Sequence, residues 1–421
     1  MEHPLDQERR DLCAIARTMT ELVPSLTPRL NAWQDHLADG LSGAATPLAA
    51  ESVLDAAVRA LRHVWLEAAA SSTSRTYRSP AENENTVTPA GRFHNFGYER
   101  DLQPVSLEER CTRFFGAPPR GWTGKHVLFS SGQAAMNAVL TLLSAAAARP
   151  LRFSHQGCYF ETADLLALYK ASFLPTPSED AEILIAEPVW CDGRRFGAEP
   201  PHAIAALANR AHAKAIVIDS TLAGLDDGLN TLLSALARPR PVFRLHSGLK
   251  LFEGGLELAD VGIVSIYGPA GHDPAEAEEL RRIRTLQGAG LSFADVAALE
   301  LPLFLDPAAT RSYQNAVFRN NAALADAART NPAFTVSHPG APYVIFNLAS
   351  PSLYDGLDDR IGQETARLGL SFIRGGSFGF RGHRFETVRP DGKPPFLRVA
   401  MGKRAGPSAA GICEFFRAFA P

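Results

Sequence analysis

The sequence predicts an α/β fold, a mostly parallel sheet with helices on both faces, followed by a smaller α+β C-terminal domain. Three observations carry this expectation. From about Ser106 the chain alternates short apolar runs with helix-length segments. The runs are HVLFS (126–130), LRFS (151–154), EILIAEP (182–188), KAIVIDS (214–220), VFRLHS (242–247) and ADVGIVSIYG (259–268). Continuous apolar runs of this length mark strands buried on both faces, as in parallel sheets. After about residue 305 the alternation gives way to a long helical stretch (308–330), then YVIFNLAS, a helix, SFIRGG, FLRVAMG and a terminal helix.

Taken in order, residues 1–70 read as two or three helices. Leu12, Ile15, Ala16, Met19 and Leu22 recur at three- and four-residue spacing, and Val53, Ala57, Leu61 and Val64 repeat it. A polar stretch over 71–91 reads as a linker or active-site loop. The segment SLEE (106–109) has the form of a capping box, with Ser106 as N-cap and Glu109 three residues on. The expected organisation is a helical extension and loop (1–95), a large α/β domain (96–305) and a small α+β domain (306–421).

Composition narrows the function classes. The 421 residues carry 42 Lys+Arg against 45 Asp+Glu, a formal charge of −3, which lacks the basic footprint of a nucleic-acid binder. Apolar residues make up 46% and charged residues 21%, enough for a buried core. The N-terminal MEHPLDQERR has no apolar stretch of the signal-peptide kind. The longest apolar segment, Ala134 to Ala148, is interrupted by Asn137, Thr141 and Ser144 and is too short to cross a bilayer. Five scattered cysteines form no CxxC pair, so a soluble protein of the reducing cytoplasm is expected.

In open parallel α/β sheets ligands bind beyond the carboxyl ends of the strands, so the residues that follow each strand matter most. After HVLFS comes Ser131-Gly132-Gln133, opening a helix whose free N–H groups suit a phosphate, although many strand-to-helix turns contain Gly for local reasons. After KAIVI comes Asp219, either an N-cap or the partner of a cationic ring nitrogen. After VFRLH comes Ser247-Gly248-Leu249-Lys250, whose lysine either reaches to water or acts as an amine nucleophile and base. Phosphate turn, aspartate and lysine, in that order on one sheet, are the parts that hold pyridoxal phosphate.

With these residues in place, the chain resembles the cystathionine γ-synthase/γ-lyase family of Cys/Met-metabolism enzymes, as a divergent member, from about residue 96 to 404. Tyr98-Glu-Arg100…Pro104…Leu107-Glu108 is similar to the family's Tyr-x-Arg…Asn-Pro-Thr…Leu-Glu segment. The stretch from Ser131 to Ala135 resembles Ser-Gly-Met-Ala-Ala, and Tyr159-Phe-Glu-Thr162 stands where the family has Tyr-Gly-Gly-Thr. Asp219-Ser-Thr221 resembles Asp-Asn-Thr, and Ser247-Gly-Leu-Lys250 resembles Ser-x-Thr-Lys. Gly376-Ser377-Phe-Gly379 resembles Ser-Leu-Gly-Gly, and Arg398-Val-Ala-Met-Gly402 resembles Arg-Leu-Ser-Val-Gly.

The resemblance implies the aspartate-aminotransferase-like fold and pyridoxal 5′-phosphate as cofactor. It implies that Lys250 forms the Schiff base and moves protons, that Asp219 keeps the ring nitrogen protonated, and that Tyr159 stacks on the ring and assists proton transfer. Ser131, Gly132, Gln133, Thr221 and Ser247 would hold the cofactor, joined by Tyr98 and Arg100 reaching across the interface of a homodimer or homotetramer. Arg398, with Ser377 and Trp190, would address the substrate, the guanidinium pairing its α-carboxylate. No metal, nucleic acid or membrane is called for.

The pattern departs from the family in three places. Glu-Thr-Pro-x-Asn-Pro becomes Glu187-Pro188-Val189-Trp190-Cys191-Asp192, Leu249 replaces a hydroxyl residue, and Lys403-Arg404 follow the final arginine motif. These changes point away from the family's ordinary substrates. The expected activity is elimination or replacement at the γ (or β) carbon of an unusual L-amino acid, such as a halogenated or unsaturated one, in the manner of the lyase that makes propargylglycine. An aminotransferase on the same fold, and a non-catalytic binding protein, are the alternatives.

Two other patterns carry less. Gly375-Gly-Ser377-Phe-Gly379 satisfies GxSxG, but the residues after it are not helical as a nucleophile elbow requires. Gly121-Trp-Thr-Gly124-Lys125 lacks P-loop spacing.

Overall fold

The computed structural model describes residues 4–73, 79, 86–271 and 274–421. Most of the polar stretch expected to be a linker or active-site loop lies outside the described residues. The chain divides into two compact units. One comprises residues 1–95, 250–259 and 293–421, the other 96–249 and 260–292.

The first unit begins with three helices, α1 (Pro4–Leu22), α2 (Thr27–Gly43) and α3 (Pro47–Thr73). Leu12, Ala16 and Met19 are buried along α1 and Ala57, Leu61 and Val64 along α3, as their spacing requires, whereas Ile15, Leu22 and Val53 are only half-buried and Leu54 takes the inward place expected of Val53.

The second unit opens with α4 (Val105–Phe115) and β1 (Trp122–Phe129). It continues through α5 (Gly132–Ala145), β2 (Leu151–Gln156), α6 (Phe160–Leu168), β3 (Phe173–Pro175) and β4 (Ile183–Ala186). A small hairpin follows, β5 (Val189–Cys191) with β6 (Phe196–Ala198). Then come α7 (Pro201–Ala211), β7 (Ala215–Asp219), α8 (Leu229–Ala235) and β8 (Val242–Ser247). The short α9 (Gly248–Leu251) carries the chain out of this unit, and β9 (Gly262–Pro269) and α10 (Ala275–Gln287) complete it.

Seven strands form one sheet in the order β1-β9-β8-β7-β4-β2-β3. Only β9 opposes its neighbours, pairing antiparallel with both β1 and β8, while β8, β7, β4, β2 and β3 pair in parallel. Residues alternate between two cores, as a two-residue period dictates. Val217, Phe243, Leu245, Val264 and Ile266 face a core shared with α5 and α10, whereas Ile216, Ile218, Val242 and Tyr267 face α7 and α8.

The capping-box expectation at 106–109 does not hold. Helix α4 starts at Val105 with Pro104 in the N-cap position and no side-chain cap. Ser106 lies inside the first turn, its Oγ buried without a hydrogen-bond partner among the described residues. Proline at the cap fixes the backbone for helix entry, so the helix begins before the serine can cap it. Glu108 instead turns inward to a buried network, accepting from Arg284 Nη1 at 2.9 Å and Arg281 Nη2 at 2.7 Å.

The first unit resumes with α11 (Phe293–Leu299) and α12 (Pro307–Ala328), then β10 (Thr335–Ser337), β11 (Val344–Asn347) and α13 (Leu357–Arg367). Strands β12 (Phe372–Arg374), β13 (His383–Val388) and β14 (Phe396–Ala400) lead to the terminal α14 (Pro407–Ala418). The sheet order is β10-β11-β14-β13-β12, with only β12 and β13 parallel. Leu324, Ile361, Ile412 and Phe416 from its helices pack on Phe346, Phe385, Leu397 and Val399. The stretch after GxSxG becomes strand β13, and Gly124 and Lys125 lie within β1.

The N-terminal helices are an integral layer of this unit. Trp65 is fully buried and its indole N–H donates to the Ala298 carbonyl at 2.8 Å. The Arg62 guanidinium donates to the Leu256 and Glu257 carbonyls at 2.8 and 2.7 Å. Glu8 accepts two hydrogen bonds of 2.7 Å from the buried Arg381, which also donates to the Gly254 carbonyl.

Candidate active site

In the second unit, several expected residues gather at the carboxyl ends of the parallel strands. Ser131, two residues past β1 and extended, N-caps α5, its Oγ accepting from the Ala134 N–H at 3.0 Å. The N–H groups of Gly132 and Gln133 open the helix and have no carbonyl within it to bond. A Cβ on Gly132 would lie 3.1 Å from that of Ser247, so glycine lets this turn close on the end of β8. The Ser247 N–H in turn donates to Thr221 Oγ1 at 2.9 Å. Gln133 reaches sideways to Glu161 at 3.4 Å.

Asp219 closes β7 and accepts from the Thr221 N–H at 2.9 Å. Burial raises its carboxyl above the ordinary range, and hydrogen bonding to Thr221 offsets this in part. Beside it stands Glu187, buried just after β4 and accepting from the Tyr159 N–H at 2.6 Å. Burial first, then the Asp219 carboxylate, push Glu187 well above the usual carboxylate range. Neither acid makes an ion pair among the described residues.

Tyr159 N-caps α6, with its ring 4.4 Å from that of Phe160. Trp190, on β5, lies flat over the backbones of Gly157 and Gly197, where a Cβ on either glycine would collide with the indole. Its Nε1 is buried without a hydrogen-bond partner among the described residues. Tyr98 and Arg100 lie on the surface, the guanidinium 5.0 Å from the tyrosine ring centre.

In the first unit, Lys250 Nζ donates to Ser377 Oγ at 2.5 Å and lies 5.7 Å from the Phe378 ring centre. Ser377 has a φ of +72°, a left-handed conformation that is costly for a residue with a Cβ. Gly379, at φ +96°, passes so close to the Lys250 carbonyl that a Cβ there would collide with it. Arg398, on β14, is 7% exposed and lies 5.4 Å from the Tyr343 ring centre. Its Nε donates to Glu386 Oε1 at 2.8 Å and its Nη2 bonds the same oxygen, which also accepts from the Ser377 N–H at 3.0 Å.

Sequence reasoning passed over two carboxylates. Glu187 was visible only as the first residue of a diverged segment, and its nearness to Asp219 follows from β4 and β7 being sheet neighbours. Glu386 carries no motif, and its place opposite Arg398 comes from the β13–β14 register.

The residues of the second unit suit a cofactor that carries a phosphate and a cationic ring. The α5 turn offers helix-terminal N–H groups, and a positive charge beside Asp219 and Glu187 would offset the burial that raises both.

Comparison with solved structures bears on the same question. The chain is similar to CalE6, a methionine γ-lyase from Micromonospora echinospora, at 19% identity and a TM-score of 0.57 over 82% of this chain and 92% of that one. MetB from Corynebacterium glutamicum matches at 17% identity and a TM-score of 0.57, covering 82% and 91%. A cystathionine γ-synthase from Xanthomonas oryzae pv. oryzae, in complex with aminoacrylate and cysteine, matches at 16% and 0.55, covering 77% and 87%. The chain has the fold of these γ-lyases and γ-synthases. The expected aspartate-aminotransferase-like architecture is therefore observed. No protein-family model and no curated protein sequence matches the chain. At such identities it is the fold that is shared.

Proposed function

We propose that the chain is a divergent pyridoxal-phosphate enzyme of the cystathionine γ-synthase/γ-lyase type, acting by elimination or replacement at the γ (or β) carbon of an amino-acid substrate. The observation that carries this reading is the pairing of Glu187, just after β4, with Asp219 at the end of neighbouring β7, together with the helix-opening turn after β1 and Lys250 just after β8. The fold shared with γ-lyases and γ-synthases supports it.

When bound, the cofactor would supply an electron sink for the carbanion at the substrate Cα. Lys250 Nζ would hold the cofactor, then take the proton from Cα, hand it on to the bound cofactor and, neutral again, take one from Cβ, so that the γ-substituent departs with its electron pair. Ser377 Oγ, at 2.5 Å, steers that amine. Asp219 would keep the ring nitrogen protonated, and pairing with that cation would bring its carboxyl back down. Ser131, Gly132, Gln133, Thr221 and Ser247 would orient the phosphate, and Tyr159 Oη would give a proton to the leaving group. Trp190 would form a wall of the substrate cavity in place of the family's asparagine, and Arg398 would address the carboxyl end of the substrate.

The purified protein should be yellow, and Lys250→Ala should abolish the visible band; a colourless wild type saturated with cofactor overturns the reading. Screening γ-halo, γ-thio and O-acyl amino acids for ammonia release identifies the leaving group. A keto acid released with pyridoxamine phosphate, and without ammonia, would assign an aminotransferase.

Tyr98 and Arg100, exposed on the protomer, are proposed to complete the phosphate site of a neighbouring subunit in a homodimer or homotetramer. Mixing Arg100→Ala with Lys250→Ala protomers should then restore part of the activity that each lacks alone. No recovery from a verified mixed oligomer would place these residues outside the site.

A further inference from the structure

We propose that Glu386 determines substrate specificity by standing in for a substrate carboxylate against Arg398, so that the chain prefers an amine whose α-carboxyl is blocked as an amide or ester to the free acid. The inference rests on the amine-substrate reading above and narrows its substrate class.

The arrangement around Glu386 is built from several sides. Glu386 and Arg398 are directly paired residues of antiparallel β13 and β14, so their side chains share one face of the sheet. One carboxylate oxygen accepts from both Nε and Nη2 of the guanidinium, and from the Ser377 N–H at 3.0 Å. The second oxygen lies 3.0 Å from where a Cβ on Gly376 would stand, so a side chain at that position would crowd the carboxylate. Ser377 itself is held left-handed, with its N–H on Glu386 and its Oγ on Lys250 Nζ. The Arg398 side chain is 9% exposed and that of Glu386 23%, which removes much of the water that screens surface pairs.

A carboxylate held by a desolvated guanidinium and a backbone N–H is the arrangement expected of a bound acid. Here the acid belongs to the chain. An incoming free α-carboxylate must either expel Glu386 from its donors or lie beside it as a second anion in a partly dry site, and both are unfavourable. The carbonyl oxygen of an amide or ester adds no charge. It can accept from the guanidinium while Glu386 continues to neutralise it. Ser377 couples the two ends of this arrangement, because the residue that steers Lys250 Nζ also holds Glu386.

The test compares L-norleucine with L-norleucine amide, two amines that differ only at the carboxyl group, by calorimetric titration of the cofactor-loaded wild type and of Glu386→Gln. The wild type should bind the amide at least as tightly as the acid. Glu386→Gln, which keeps the shape and removes the charge, should shift the ratio towards the acid by about tenfold or more. A wild type that prefers the acid by about tenfold overturns the inference, and so does an unchanged ratio in the variant. The wild-type ratio alone decides if the variant does not fold. Cofactor loading is read separately from the visible absorbance. A colourless protein sinks the cofactor reading, and the acid-to-amide ratio is then taken on the cofactor-free wild type and Glu386→Gln, where the same two outcomes decide the role of Glu386.

Discussion

At the scale of single residues, the candidate chemistry rests on carboxylates whose surroundings differ. Asp219 and Glu187 make no ion pair among the described residues, and desolvation raises both. Glu386 is spent on Arg398 and Ser377. The Asp219 charge adds to burial in raising Glu187, so a positive charge bound beside the two acids would favour their ionised forms. Asp219→Asn keeps an acceptor for the Thr221 N–H and removes one charge from the pair. It should leave the denaturation midpoint unchanged or slightly raised, and slow deuterium exchange at the substrate Cα by about a hundredfold or more. Exchange at the wild-type rate would remove Asp219 from the mechanism.

At the scale of elements, the second unit carries a buried basic cluster where α4, β1 and β8 meet. The Phe115 ring is stacked between His126 and His246, at 5.4 Å from each, and the Arg244 guanidinium lies 4.6 Å from its centre. Arg244 is neutralised by Asp227 at 2.5 Å, and His126 is hydrogen-bonded to Ser265. Burial, then the Arg244 charge, lower His126 to about 3, and the same two causes lead for His246. Both rings therefore fold neutral. A histidine depressed in the folded state takes up its proton only on unfolding, so its contribution is present above pH 6.5 and is lost as pH falls towards 3. Each histidine should steepen the pH dependence by up to about 1.4 kcal/mol per pH unit in that window. Urea midpoints measured from neutral to mildly acidic pH should fall, and His126→Asn should flatten the slope. A wild-type curve flat across that range would contradict the neutral cluster.

At the scale of the whole molecule, the first unit is assembled from three distant stretches of chain. The first and third are joined through a charged core. Glu8 on α1 holds Arg381, and Arg404 donates to Asp55 on α3 at 2.7 Å. Burial tends to raise Glu8, but the Arg381 charge and its hydrogen bonds prevail and hold the carboxyl low. Breaking such a pair leaves the other charge buried alone. Glu8→Ala should cost about 3–5 kcal/mol by chemical denaturation. A loss below about 1 kcal/mol would mean that α1 is dispensable packing. The same layer explains why Gly379 and Ser377 keep unusual backbone angles, since Arg381 anchors the segment just after them to the Gly254 carbonyl.

Much of this was legible in the sequence because it is local. The runs 126–130, 151–154, 182–188, 214–220 and 242–247 are too short for helices and too apolar for loops, and each overlaps a strand of the large sheet. The order of Ser131, Asp219 and Lys250 after three of these strands is local as well, and the proposed cofactor chemistry rests on it. What the tertiary structure decided depends on pairing across the chain. Proline at 104 moved a helix start that SLEE alone misplaces. The β4–β7 neighbourhood set Glu187 beside Asp219, and the β13–β14 register set Glu386 on Arg398. Period and composition are properties of neighbouring residues and survive in one dimension, whereas which acid meets which base is fixed only when distant strands choose their register.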